Sequence, residues 1–435
     1  MGRLKHFTIL GAILALVGAA LIWAEHRPGG VSAEPAPLAG LATPRMHLTQ
    51  LPQATQPPPA AQPALQVFQG AAEVQPAKLV TLEQSNDPAV QSIFEQRMND
   101  PRNKYIYSFF SSYQPQQAGG GCAAVWEMVP EYNKLPNWLL TPDRPDQIYS
   151  KIALNFLAGM LIRNKAVDAS GCANGGISTE NAYVANACGL RVALPAVLDW
   201  QNRFNQVILD VAKETGVPAQ LMKNIFSRES QFWPGIYANA AEAGLGQLTV
   251  SGADTLLMWN TNFYNQFCPT VLIPEACRKG YTNLTVPEQE MLTGALVRMV
   301  NATCPNCPGG IDPYMAEFSV RVFAENLVAN CQQVGQIIHN VTDRDPKVAS
   351  TYVDLWMMTL INYHAGSGCL TDAVKEASQR NYDITFDFVG SSLPGYCASA
   401  KAYVEEVIFM PEYAPVPTPP ANPTPTITPT PTPKP

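Results

Sequence analysis

Glu229 is the residue whose setting most favours chemistry. It lies in the stretch GVPAQLMKNIFSRESQFWPGIYANAAEAGLGQLT, residues 216–249. Leu221, Ile225 and Glu229 recur every four residues, so on a helix they share one face. Met222 and Phe226 flank that face, and Arg228 points elsewhere. A carboxyl group among apolar neighbours is desolvated, which disfavours its charged form. The helix should end at about Phe232-Trp233-Pro234, and the negative end of its dipole acts in the same direction. A carboxylic acid held protonated near neutral pH can protonate the leaving oxygen of a glycosidic bond. The competing reading is an ordinary Glu paired with an Arg or a helix-end amide. Glu242 and Asp254 are the nearest candidates for a second carboxylate, and solvated surface charge is the plainer account of both.

The elements that must position Glu229 read as helices. Pro218 suits a first helical position. Ile148, Ile152, Phe156 and Met160 form one apolar stripe after a start signal at Asp143 and Pro145, and Trp200, Phe204, Ile208 and Val211 form another. Further helices are expected over about 287–300, 313–338 and 348–364. No stretch alternates with period two, so the fold class expected is all-α or α-dominated.

Two further segments accompany Glu229. Gln247 follows it by eighteen positions within Gly244-Leu245-Gly246-Gln247-Leu248, and Tyr363-His364-Ala365-Gly366 ends a later helix. With Glu229-Ser230, these three segments resemble the soluble lytic transglycosylase family over about residues 196–410. The family pattern has Glu-Ser at a helix end, then Gly-Leu-Met-Gln, then Tyr-Asn-Ala-Gly. The resemblance implies a lysozyme-like helical lobe and no cofactor or metal. It also implies a reaction in which the muramyl 6-hydroxyl of peptidoglycan, rather than water, attacks the N-acetylmuramic acid–N-acetylglucosamine bond and leaves a 1,6-anhydro end. On that reading Glu229 is the acid and then the base. Ser230 and Gln247 orient it and the sugar, Gly244 and Leu245 belong to the substrate-binding segment, and Tyr363 sits beside the acid. One carboxylate suffices because the nucleophile is internal, whereas hydrolysis uses a pair. The chain departs from the pattern at Gly246, where Met is usual, at His364, where Asn is usual, and at Ala241-Glu242, where Gly-Ala is common.

The chain has 435 residues, 46% of them hydrophobic and 14% charged, enough for a sizeable core. With 28 Lys and Arg against 35 Asp and Glu, its formal charge is −7, which argues against a nucleic-acid partner. Arg3 and Lys5 precede an apolar run from Phe7 to Ala24, expected to be either a retained anchor or a signal cleaved near Val31-Ser32-Ala33. The expected organisation is an export segment over 1–27, a Pro/Ala/Gln-rich linker over 28–80 and a helical accessory region over 81–195. The catalytic region then spans 196–410, with an insertion at about 263–345, and a Thr-Pro tail occupies 411–435. All ten cysteines lie between Cys122 and Cys397, an even count that favours disulfides in an exported chain. Cys172–Cys188, Cys268–Cys277 and Cys369–Cys397 are plausible pairs. Cys304 and Cys307 form a lone CxxC, too few ligands for a structural zinc site. Aromatics at Tyr105, Tyr107, Phe109, Phe110 and Tyr113, with Trp233 and Trp259, suit either sugar stacking or the core.

The leading expectation is an exported, extracytoplasmic peptidoglycan lytic transglycosylase of the cell envelope, either secreted or tethered to the membrane through its N-terminal segment. Its rivals are a muramidase on the same fold and a wall-binding scaffold without catalysis. No metalloprotease, serine-elbow or phosphate-loop motif is present.

Overall fold

The computed structural model describes residues 108–109, 112–115, 121–150, 154–235 and 242–409. The N-terminal segment, the linker, the Thr-Pro tail, Tyr105, Tyr107 and Phe110 lie outside them. The helices are α1 Gly121–Val125, α2 Asn155–Arg163, α3 Ala187–Asn202, α4 Asn205–Thr215, α5 Ala219–Glu229 and α6 Val250–Trp259. They continue as α7 Thr261–Phe267, α8 Val286–Met299, α9 Pro313–Thr342, α10 Tyr352–Ala365, α11 Ser367–Gln379 and α12 Ser399–Ile408, with short helical turns between some of them. No strand occurs among the described residues, only isolated bridges such as Ala243 with Leu248. The chain is helix-dominated, as expected.

The longest helix, α9, organises the rest. Asp312 caps it by accepting from the backbone N–H groups of Tyr314 (3.0 Å) and Met315 (3.3 Å), and Pro313 opens it. It runs for 30 residues, about 45 Å. Most of its length is buried on all sides, as befits a helix enclosed by others. Helices α1, α4, α6, α10 and α11 pack against it. Although it falls in the 263–345 interval, α9 is the central helix of this lobe. Helix α3 runs from 187 to 202, across the expected boundary at 195.

Two expected helices are corrected. The stripe from Ile148 to Met160 is not one helix. Pro145–Gln147 is a single 3₁₀ turn, Ile148 is extended, residues 148–150 belong to no helix, and α2 starts only at Asn155. The carbonyls of Pro145 and Ile148 accept from the Asn205 amide (2.8 and 3.1 Å), and that of Tyr149 accepts from Gln220 (2.7 Å), so these backbone groups are satisfied by side chains. The stripe from Trp200 to Val211 breaks between α3 and α4. In an unbroken helix the Gln201 carbonyl would accept from the Asn205 N–H. Here it accepts from Nζ of Lys223 (2.6 Å), whose fully buried ammonium also reaches Asn205 Oδ1 (2.6 Å).

All ten cysteines are paired. Cys172–Cys188, Cys268–Cys277 and Cys369–Cys397 form as expected, and Cys304–Cys307 closes on itself. The fifth pair, Cys122–Cys331, fastens α1 to α9. Phe109 and Tyr113 belong to the core, packed with Phe263, Phe267 and Phe318. The Tyr113 hydroxyl donates to the buried Glu325 carboxylate (2.6 Å), and burial raises the pKa of both groups. Among the described residues no helix is long and apolar enough to cross a membrane, and no His, Cys, Asp or Glu cluster is placed to hold a metal.

Candidate active site

Helix α5 ends on Glu229 because the chain turns sharply behind it. Gln231 and Phe232 both adopt left-handed backbone (φ 47° and 63°), unusual for consecutive residues with side chains. Each such residue costs on the order of 1–3 kcal/mol and persists only where its surroundings hold it. Here they do. Gln231 Oε1 accepts from the Phe156 N–H (2.8 Å), and the Phe232 carbonyl accepts from Trp200 Nε1 (2.9 Å). The Phe232 ring is buried with Nζ of Lys223 4.4 Å from its centre. Burial holds the Lys223 pKa well below the usual range. Trp233 stacks on Trp200 (5.6 Å, 17°) and is buried, so it belongs to this support rather than to an open cleft. Trp259 is half-buried against the core cluster.

The half-buried Glu229 carboxyl meets α12, which packs against both α5 and α10. Tyr403 of α12 is buried, with its hydroxyl near Glu229 and Tyr363 but short of ideal hydrogen-bond geometry. Burial, and then the Glu229 charge, push the Tyr403 pKa well above its ordinary value, so the phenol stays a proton donor. Arg228 turns away from Glu229 and pairs with Glu406 (2.5 Å). Tyr403 has no counterpart among the residues singled out by sequence. Its apolar neighbours Ala400, Val404 and Val407 give it the signature of a core position.

The segment Gly244-Leu245-Gly246-Gln247 is a tight turn closed by two hydrogen bonds between Ala243 and Leu248 (3.2 and 2.8 Å). Gly244 takes φ +77°, and a side chain there would strike the Val300 carbonyl. Leu245 is buried, and its N–H donates to Ser319 Oγ of α9 (3.3 Å). At Gly246 the constraint is space: a Cβ would lie 2.0 Å from the Phe323 ring. That ring fills the volume that the Met of the family pattern would need. Phe323 packs edge-on to Phe226 of α5 (4.7 Å) and to Tyr363 of α10 (5.6 Å). The Tyr363 hydroxyl then donates to the Gly246 carbonyl. The Glu229 helix, the glycine turn and the Tyr363 helix end are thus locked together through one phenylalanine of α9.

Ser230 and Gln247 are buried and turned inward. The Ser230 hydroxyl donates to the Phe226 carbonyl (3.2 Å), and Gln247 Nε2 donates to the Gly244 carbonyl (2.8 Å). Both shape the backbone of the site, and Gln247 Oε1 is buried without a hydrogen-bond partner. Asp254 accepts from the Tyr281 hydroxyl (2.5 Å), which commits its carboxylate to α6 packing, while Glu242 is half-buried at the entrance to the glycine turn.

The chain matches no family model, no curated protein and no solved structure. The reading of the site therefore rests on its own geometry.

Gly246→Ala tests the central packing. Phe323 is confined by two other rings, so the added methyl is expected to cost about 1–3 kcal/mol in chemical denaturation. Adding Phe323→Leu should recover part of that loss, since residues in contact are energetically coupled. Equal costs with and without Phe323→Leu would show that the two residues do not compete for this space.

Proposed function

We propose that this chain is an exported peptidoglycan lytic transglycosylase with Glu229 as its acid and base. The observation that carries the reading is the meeting of a helix-end carboxyl, a buried tyrosine hydroxyl at Tyr403, and a glycine turn fixed to Tyr363. Glu229 would give its proton to the glycosidic oxygen as the bond to the muramyl C1 breaks. The muramyl 6-hydroxyl would then attack C1 and return its proton to Glu229. Tyr403 is suited to steady the carboxylate between the two transfers, because a hydrogen-bond donor aimed at a charged form favours it. A single carboxyl satisfies this chemistry because the nucleophile is part of the substrate. The commitments of Asp254 to Tyr281 and Glu406 to Arg228 favour this route over a two-carboxylate hydrolysis. Paired cysteines fit a chain that works outside the reducing cytoplasm.

The test is product analysis by mass. The full-length protein is incubated with purified peptidoglycan and the released muropeptides are identified. Anhydro-muramyl ends are expected. Reducing muramyl ends would replace this reading with a muramidase and redirect attention to Glu242. A folded protein that pellets with the wall and releases nothing would replace it with a binding scaffold.

A further inference from the structure

His364 follows Tyr363 at the end of α10, at a position where the family pattern carries a residue that does not titrate. Its imidazole lies flat on the Tyr403 ring, with centroids 3.9 Å apart and planes 17° apart. The Tyr403 hydroxyl at the other end of that ring is beside Glu229. A titratable ring is thus stacked on a side chain that joins α10, α12 and the acid. The titratable and charged groups around the stack are Tyr363 on α10, Tyr403 and Glu406 on α12, and Arg228 and Glu229 at the end of α5. The Arg228 guanidinium is 5.9 Å from the centre of the Tyr403 ring, and its charge is already matched by Glu406.

We infer that His364 is a positioning residue that sets the pH range of Glu229 through the ring of Tyr403. The inference rests on Glu229 being the acid of the proposed reaction. Protonated His364 would place a cation on the face of the phenol, a favourable arrangement in itself. It would also strengthen the phenol as a donor toward Glu229. A positive charge nearby favours the carboxylate form. Since the first step needs the carboxylic acid, a proton held by His364 is a proton withheld from Glu229. Coupling between two titrating groups is reciprocal, so the Glu229 carboxylate must in turn favour the imidazolium. An unperturbed histidine titrates near pH 6.5, inside the range in which such an enzyme would work.

Two measurements on the full-length protein test this. In the first, the Cε1–H resonance of His364 is titrated by NMR in the wild type and in Glu229→Gln, the signal being assigned by its loss in His364→Asn. The midpoint is expected to fall by ~0.5–1 pH unit in Glu229→Gln, a fraction of the shift an adjacent charge produces. An unchanged midpoint overturns the inference. In the second, the pH profile of kcat/KM is compared for wild type, His364→Asn and His364→Phe. Both variants are expected to move the alkaline limb upward by a similar ~0.5–1 unit, because both remove the competing proton site. If His364→Phe keeps the wild-type profile while His364→Asn changes it, stacking alone matters and the inference falls. A protein without turnover would sink the glycan-cleaving reading, and the reciprocal titration would still decide whether His364 and Glu229 are coupled.

Discussion

Glu229→Gln should retain the fold and lower glycan cleavage by about 10²–10⁴-fold, the usual contribution of a positioned acid–base group. The substitution is nearly isosteric and sits at a half-buried helix end, so packing changes little. What disappears is the proton that can be given and taken back. The turn at Gln231 and Phe232, the Phe323 contacts and the Arg228–Glu406 pair do not involve the Glu229 carboxyl. Turnover on purified peptidoglycan, read beside a denaturation curve that matches the wild type, checks both halves of the expectation. Activity within tenfold of wild type in a folded variant would move the acid elsewhere in the chain.

Removing Cys122–Cys331 should have the largest effect on stability of any of the five bridges. In the chain-entropy account, stabilisation grows with the length of the closed loop. This pair closes 209 residues, whereas Cys304–Cys307 closes only 3. The corresponding stabilisations are about 5 and about 2 kcal/mol. The native contacts point the same way. Both sulfurs are fully buried, and Trp126, four residues after Cys122, donates to the Cys331 carbonyl (3.0 Å) and packs edge-on to Trp356. Chemical denaturation of Cys122→Ala/Cys331→Ala and Cys304→Ala/Cys307→Ala under oxidising conditions should rank the two pairs in this order. The reverse ranking would mean that native strain, rather than loop closure, governs these bridges.

Where a segment's hydrogen bonds are local, its sequence was readable. Asp312-Pro313 marks the start of α9, and Thr285 with Glu288 forms a reciprocal cap on α8, so both helices lie close to where their sequences put them. Helices that depend on distant side chains were misread. Nothing near Gln201 announces that Lys223 will take its carbonyl, and nothing near Ile148 announces Asn205. The same division runs through the site. Glu229 is legible from spacing that places it at a helix end, whereas Gly244 and Tyr363 stand out only through the resemblance to the family pattern. The inward orientation of Ser230 and Gln247 was not legible, since a hydroxyl or amide beside an acid reads equally well as facing the sugar. Tyr403 was hidden for the opposite reason. It carries the periodicity of a core residue, and only the packing of α12 on α5 brings its hydroxyl to Glu229. The departure at Gly246 acquires a cause from Phe323, 77 residues further along the chain.

The pattern of cysteine pairing also bears on how the molecule is made. Four bridges join cysteines that are neighbours in the order of the chain, but Cys122 must pass over six others to reach Cys331. At a synthesis rate of about 5–20 residues per second, Cys122 waits roughly 10–40 s for its partner to appear. During that wait Cys172 and then Cys188 are the first thiols to come within reach. A mixed bridge formed then must be reopened by thiolate attack before α1 can be fastened to α9. Any such mixed bridge would make maturation of this lobe depend on disulfide exchange as well as oxidation, and the wait ends only once Cys331 on α9 has emerged.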